Sequence, residues 1–283
     1  MQPGPVDVRI ASDADWPALL AAYRRTYREG HPLTNREFWR WRFGDDRHGV
    51  AIIAVADAEL VGHLGAALRG GNAWIINAFV EPEFRGRGLL RELYGIAGDH
   101  GHLAATNVNR AGTDMYRNMG WVRYADLQRF VAWDSDVPAD DLLEPVLPDV
   151  DWPLPPQRHY WQQPGVLGFT APDGSSVVDQ RQVGGLRVIQ LGDASALPQL
   201  AFDAGYRWVD YVTSWNDPLC RTIDQVGWVT DSSGPVPWLL SPVVASSRAT
   251  INVFAQSSLD PTYVISREDS DHGRVGSLPA SDG

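Results

Sequence analysis

The segment Val80-Glu-Pro-Glu-Phe-Arg-Gly-Arg-Gly-Leu-Leu90 holds the densest concentration of chemistry in this sequence. An apolar run ends at Val80, Pro82 marks a turn, and Arg85, Gly86, Arg87 and Gly88 precede a stretch with helical apolar spacing at Leu89, Leu93, Ile96 and Ala97. A glycine-bearing loop that opens a helix is an anion site. The first N–H groups of a helix have no partner inside it, and the helix dipole places partial positive charge there. Gly86 and Gly88 let the backbone approach a diphosphate closely, and Arg85 and Arg87 add cationic donors. Taken alone, the same residues also fit an ordinary helix start with solvated arginines.

A second stretch, Asn109 to Trp121, places Tyr116 four residues before Gly120. A tyrosine hydroxyl can deliver a proton to a leaving group, and it can equally be a core aromatic packed on a sheet. Candidate bases are His63 within an apolar strand, Asn77 acting through a water, and Glu81; packed or solvated roles compete for each. There is no Lys, which excludes a Lys nucleophile or Schiff base. Cys220 is the single cysteine, so no internal disulfide forms and no Cys/His cluster suggests a structural metal.

These residues need a scaffold. Val6 to Ile10 reads as a strand. Ser12 and Asp15 resemble a capping box for a helix to about Tyr27, with Trp16, Leu19, Leu20, Tyr23 and Tyr27 on one face. A short helix is expected over 34–43, then strands over 50–55, 60–68 and 73–80. The helix after the glycine loop should run to about Asp99, followed by a strand over 102–108, a helix over 111–119 ended by Gly120, and a strand over 122–133. The order is that of an α/β fold, a mixed sheet flanked by helices.

The remainder carries an echo. Asn109 to Gly120-Trp121 and Asn216 to Gly227-Trp228 share the same spacing, each behind a strand-like segment, with Ile223 where Tyr116 stands in the first. The Arg-Gly-Arg-Gly segment is not repeated. This predicts two tandem copies, the second stripped of chemistry. The expected boundaries are a first domain at 1–135, a Pro/Asp-rich linker at 136–160, a degenerate second domain at 161–267 and a flexible tail at 268–283.

Charge is uneven. Residues 1–135 carry as many acids as arginines, so the formal net charge of −11 lies in the second half. That half lacks the clustered cations that nucleic acid requires. No apolar run reaches bilayer length and the N-terminus has no signal pattern, so the expectation is a cytoplasmic protein without membrane or nucleic-acid partners.

The segment 80–90 resembles the coenzyme A-binding motif of the GNAT superfamily of acyltransferases, which reads Arg/Gln-x-x-Gly-x-Gly/Ala; Leu90 stands where Gly or Ala is usual. Val80-Glu-Pro-Glu-Phe84 is similar to its lead-in, and Asn109, Tyr116 and Gly120-Trp121 to a later motif. The resemblance covers residues 6–133. It implies a GNAT-like fold and acetyl-CoA as acyl donor to a small-molecule amine. Backbone groups of Phe79 and Val80 would pair with the pantetheine arm, admitted by a splay between the strands ending at Val80 and Val108. Amides of Arg85, Gly86, Arg87, Gly88, Leu89 and Leu90 would hold the diphosphate, Asn109 would join the cofactor side, and Tyr116 would protonate the thiolate, with His63 as the named base candidate. Phe38-Trp-Arg-Trp41 resembles GNAT proteins of surface-polysaccharide gene clusters, which suggests an amino-sugar acceptor, its ring stacked on these aromatics and a phosphate held by Arg36, Arg40 and Arg42. A helix that merely covers the core fits that stretch too. The alternative function is a non-catalytic acyl-CoA-binding or ligand-binding protein.

Overall fold

The computed structural model describes residues 5–27, 29–156, 158–230, 234–236, 239–241, 244–245 and 251–269. In chain order the elements are β1 (Val6–Ile10), α1 (Trp16–Thr26), α2 (Arg36–Phe43), β2 (Gly49–Ala56), β3 (Glu59–Arg69), β4 (Asn72–Val80), α3 (Leu89–Gly98), β5 (His102–Thr106), α4 (Arg110–Asn118) and β6 (Val122–Trp133). They continue with β7 (Gly168–Thr170), β8 (Ser176–Gln180), β9 (Gly185–Gln190), α5 (Leu197–Asp203), β10 (Trp208–Thr213), α6 (Cys220–Gln225), the short ladder of β11 (Leu239–Ser241) with β12 (Val244–Ala245), and β13 (Ile251–Ala255).

Two compact units divide the chain. The first takes residues up to Tyr124 and reclaims Val253–Leu259; the second takes Ala125–Asn252 and continues from Asp260. The division falls inside β6, earlier than the domain end at 135 that composition suggests, because only long-range strand pairing decides which unit a strand joins.

In the first unit the strand order is β1-β2-β3-β4-β5-β13, antiparallel except for β4 with β5. Strand alternation sorts its core into two faces. Val50, Ile52 and Ala54 of β2 face α3 and α4 with Leu93, Tyr94, Tyr116 and Trp121. Ala51 and Ile53 face α1 and α2 with Leu19, Tyr23, Phe38 and Trp39. The helix starts are set locally. The Asp15 carboxylate accepts from the Ser12 N–H and hydroxyl at 2.8 and 2.9 Å and is gripped by Arg9, ahead of Pro17 in the first turn of α1. Asn35 Oδ1 accepts from the Phe38 N–H at 3.0 Å to begin α2.

In the second unit β6 pairs antiparallel with β10, β10 runs parallel to β9, and β8 and β7 follow antiparallel. One face packs Phe130, Val177, Val188, Val209 and Tyr211 with Ile223 and Trp228. The other buries charge: Arg129 of β6, Arg187 of β9 and Arg267 all reach Asp210 of β10, at 3.1, 3.4 and 2.6 Å. The expected tail from 268 is corrected at its start. Glu268 and Asp269 are buried, Asp269 accepting from the Ser266 N–H and the Tyr263 hydroxyl. Residues 270–283, including most of the polar stretch 269–274, lie outside the described residues. The expected linker holds the short helical turns Ala139–Asp141 and His159–Gln162, and Leu142 is fully buried against Val131 and Trp208.

Candidate functional site

The glycine loop follows directly from strand β4. A bulge comes first. Gly65 pairs with Asn77 and Ala66 with Ile75, so Ile76 is an extra residue in the register. The insertion flips the strand's parity. Ala73 and Ile75 point to the α3 face before it, whereas Phe79 packs with the α1 and α2 core and Val80 with the α3 core after it. The ladder of β4 with β5 ends at Ile75 opposite Ala105, while β4 continues to Val80. Among the described residues the ladder with β5 is not continued along Ala78 to Val80, and Ala78 is exposed there. Asn107, at a φ of +53°, turns the chain immediately after β5 and ends the strand at Thr106, two residues short of the expected Val108.

Beyond Val80 a single turn, Pro82–Phe84, carries the chain into the loop. Gly86 and Gly88 have φ of +75° and +83°, the left-handed region that glycine adopts at no cost, and Gly88 is the N-cap of α3. A Cβ added at either would meet nothing within 4 Å, so the space above the loop is open. Among the described residues no acceptor takes the N–H groups of Gly86 to Leu90. This is a cradle of donors at the positive end of a helix. Leu90, the departure from the motif, turns its side chain against the core and leaves its backbone at the cradle.

The two arginines differ. Arg85 Nε donates to the Val80 carbonyl at 2.9 Å, which braces the loop against the end of β4. Arg87 lies over the Phe84 ring at 5.4 Å and is exposed beside the cradle.

Tyr116 lies on α4. Asn109 Oδ1 accepts from the Gly112 N–H at 2.8 Å, so the side chain expected to touch the cofactor instead starts this helix. Gly120, with φ +77°, ends it, and the Trp121 N–H closes back on the Tyr116 carbonyl at 3.0 Å. That closure stacks Trp121 on Tyr116, ring centroids 4.2 Å apart, which explains the Gly-Trp pair. Tyr116 is 4% exposed, and its hydroxyl is 2.8 Å from that of Tyr94. Burial pushes its pKa well above the ordinary value, so it holds its proton at neutral pH.

The expectation that His63 serves as a base is corrected. Its ring is completely buried, Nε2 is 2.9 Å from the Tyr23 hydroxyl, and Phe43 and Phe79 pack around it. Desolvation pushes its pKa down to about 3, so it stays neutral and has no path to a substrate proton. The consequence is for stability. The unfolded histidine binds a proton near pH 6.5 and the folded one does not, so stability is complete above pH 6.5 and falls as pH drops toward 3, by up to about 1.4 kcal/mol per pH unit. We expect the melting temperature to fall through that window, and the His63→Gln variant to show a flatter profile by calorimetry; an unchanged slope would count against this assignment.

Glu81 is ion-paired with Arg25 at 3.1 Å. On the α1 and α2 side, Arg36 and Arg40 both bind Asp13, and Arg42 is buried over Trp41 at 4.3 Å. Phe38 and Trp39 are core residues; Trp41 is half-buried. The two pairs with Asp13 are exposed at the surface, whereas the Arg42 side chain is withdrawn from solvent. Among the described residues no group of three or more His, Cys, Asp or Glu is placed to hold a metal ion, and no helix is long and apolar enough to cross a membrane.

The sequence reading missed two features. The bulge at Ile76 is a property of pairing between β3 and β4 and leaves no local signal. Tyr94 reads as one more apolar position of α3, and its hydroxyl gains meaning only when α4 is packed beside it.

Two solved structures share this fold at low sequence identity. A Pyrococcus horikoshii protein presumed to be an acetyltransferase is 13% identical with a TM-score of 0.52, covering 92% of this chain and 91% of its own. A GCN5-related N-acetyltransferase from Kribbella flavida is 18% identical with a TM-score of 0.50, covering 88% of this chain and 71% of its own. An N-acetyltransferase from Thermoplasma acidophilum, solved with coenzyme A, is 16% identical over 42% of this chain and 91% of its own, with a TM-score of 0.35. No curated protein is similar enough in sequence to match. Residues 16–121, which contain α1, α2, the end of β4, the glycine cradle and Tyr116, match the model of the acetyltransferase (GNAT) family.

Proposed function

We propose that the first unit transfers an acetyl or short acyl group from acetyl-CoA to the amine of a small molecule. The observation that carries this reading is the open donor cradle of Gly86 to Leu90, set directly beyond the stretch of β4 that continues past its ladder with β5. A diphosphate on the cradle and a pantetheine arm along residues 79–80 would use both features at once. Arg87 supplies a cation at the cradle, and Arg85 acts through the loop's shape. The family match over 16–121 agrees with this donor.

In the proposed reaction the neutral amine nitrogen attacks the thioester carbon, the C–N bond forms and the C–S bond breaks. The Tyr116 hydroxyl gives its proton to the departing thiolate, the amine loses its proton to water, and Tyr116 is reprotonated from solvent after release. With His63 sealed in the core, water is the base. Transfer by this route needs no metal ligand set from the protein. An amino sugar is the first acceptor to screen, with half-buried Trp41 as its stacking surface, in a cytoplasmic setting and without nucleic acid.

We further propose that the second unit is a degenerate copy. In favour are the hairpin of β8 and β9, the parallel step through α5 to β10, and α6 ending in Gly227-Trp228, the order seen from β3 to α4. No glycine cradle precedes α5. Asp193 stands there instead, accepting from the Ser195 N–H, and its negative charge opposes a diphosphate. Ile223, fully buried, takes the place of Tyr116.

Calorimetric titration with acetyl-CoA tests the reading. One molecule per chain is expected, and Gly88→Val should weaken binding at least about tenfold, because a side chain enters the cradle and the left-handed backbone costs about 1–2 kcal/mol. Two molecules per chain, or unchanged affinity in the variant, would refute it. The engaged Tyr116 hydroxyl favours a second reading, an acyl-CoA-binding protein without turnover; binding with no thiol release from any amine would select it.

A further inference from the structure

The helix that opens the cradle also carries a tyrosine that the proposed chemistry has not yet used. Tyr94 is on the buried stripe of α3 with Leu89, Leu93 and Ala97, where a purely apolar side chain would suffice for packing. A hydroxyl in such a place is costly without a partner. Its partner is the Tyr116 hydroxyl at 2.8 Å. The two rings meet edge to face at 6.1 Å, Trp121 packs against both, and Phe254 lies 5.6 Å from Tyr116. The aromatic walls fix both phenols, so the two oxygens stay together.

Resting on the acyltransferase reading, we propose that Tyr94 is the positioning residue for proton delivery: it orients the Tyr116 hydroxyl and donates a hydrogen bond to the oxygen that loses its proton. The balance is simple. When the C–S bond breaks, the thiolate gains the Tyr116 proton, and the negative charge passes to the Tyr116 oxygen. A lone phenolate in an apolar pocket is strongly disfavoured, whereas one that receives an O–H donor gains a charge-assisted bond. Burial raises the pKa of both phenols, so a phenolate formed at Tyr116 depends on the neighbouring Tyr94 O–H for its stabilisation. No outside oxidant or cofactor enters the step.

The experiment compares the full-length protein with Tyr94→Phe, Tyr116→Phe and the double variant, following thiol release from acetyl-CoA with an amine acceptor. Tyr94→Phe should lower kcat about 10- to 100-fold, the effect of one hydrogen bond to a charged group, with KM for acetyl-CoA within about twofold. In the Tyr116→Phe background the same change should cost nothing more. A thioester of a more acidic thiol needs less help from a proton donor, so it should narrow the deficit of Tyr94→Phe, which a packing defect would not do. Additive losses, an equal deficit with both thioesters, or wild-type kcat in Tyr94→Phe would overturn the role of Tyr94 and leave the acyltransferase reading intact. Should Tyr94→Phe fail to fold, Tyr116→Phe read with the two thioesters and Tyr94→Met, which keeps volume without a hydroxyl, decide the same question. Absence of turnover in the wild type would instead refute the acyltransferase reading, and this inference with it.

Discussion

Asp210→Asn is expected to destabilise the protein by about 3–5 kcal/mol, enough to leave it largely unfolded at moderate temperature. Asp210 is fully buried and accepts from Arg129 Nε, Arg187 Nε and Arg267 Nη2. Arg129 Nη1 also donates to the Val236 carbonyl, which ties the cluster to the segment after α6. The three guanidiniums sit 0–7% exposed, and burial together with the neighbouring arginines pushes Arg267 down to about 9. Removing the carboxylate leaves three like charges facing one another in a dry setting, and an asparagine oxygen offers a dipole in place of a charge. The attraction of the three arginines overcomes burial and holds the Asp210 pKa below its ordinary value, so its contribution is present above the unfolded carboxylate pKa and is lost only as pH falls through the lower folded one. Denaturant unfolding of the variant beside the wild type is the measurement. A loss under about 1 kcal/mol would show that the cluster is balanced by other groups.

The second large effect concerns the chain's own ends. A fragment of residues 1–135, the domain that composition suggests, should fail to fold cooperatively. Its sheet would stop at β5, because β13 arrives from residues 251–255. Val253, Phe254 and Ala255 pair with Thr106, Ala105 and Ala104, the Gln256 N–H reaches the Leu103 carbonyl at 2.9 Å, and the Leu259 N–H reaches the Tyr124 hydroxyl at 2.8 Å. Loss of Phe254 alone, completely buried against Tyr116, is worth about 3–5 kcal/mol. The fragment would also present a bare apolar strand edge, a site for aggregation. Circular dichroism melts should show no sharp transition for the fragment, and a peptide spanning 251–259 should partly restore one. A fragment that melts like the full chain would refute the dependence.

Much of the first unit was legible because its signals are local. Glycine turns, Pro82, the Ser12–Asp15 capping box and the apolar spacing of α3 each act within a few residues, so the element order emerged from the sequence with most boundaries shifted by one or two positions, whereas the Asn109 cap was read as a cofactor contact. Asn107 shows the limit: asparagine tolerates the left-handed turn that ends β5 early, but the residue type alone does not fix where the strand stops. What stayed hidden depends on distance along the chain. β13 is separated from β5 by the whole second unit, and the Ile76 bulge exists only in register with β3. Nothing local marks Arg129, Arg187 and Arg267 as partners of Asp210; strand pairing sets Arg187 opposite Asp210 and Arg129 opposite Val212. His63 misled for the same reason, since its burial comes from α1 and α2 folding across the sheet. The candidate site divides likewise. The cradle was readable from its glycines, the pairing of Tyr94 with Tyr116 was not.

The late arrival of β13 also sets a clock on the ribosome. The edge of β5 leaves the exit tunnel complete, but its partner strand begins at residue 251. At about 5–20 residues per second, synthesis of the intervening stretch takes roughly 7–30 s. Throughout that interval the nascent first unit carries an open apolar edge, while β6 and the helices after it are still being made. Translation speed through residues 107–250, and any chaperone that shields a strand edge for tens of seconds, therefore become determinants of yield for this protein in a way that the finished fold, with β13 seated beside β5, would not reveal.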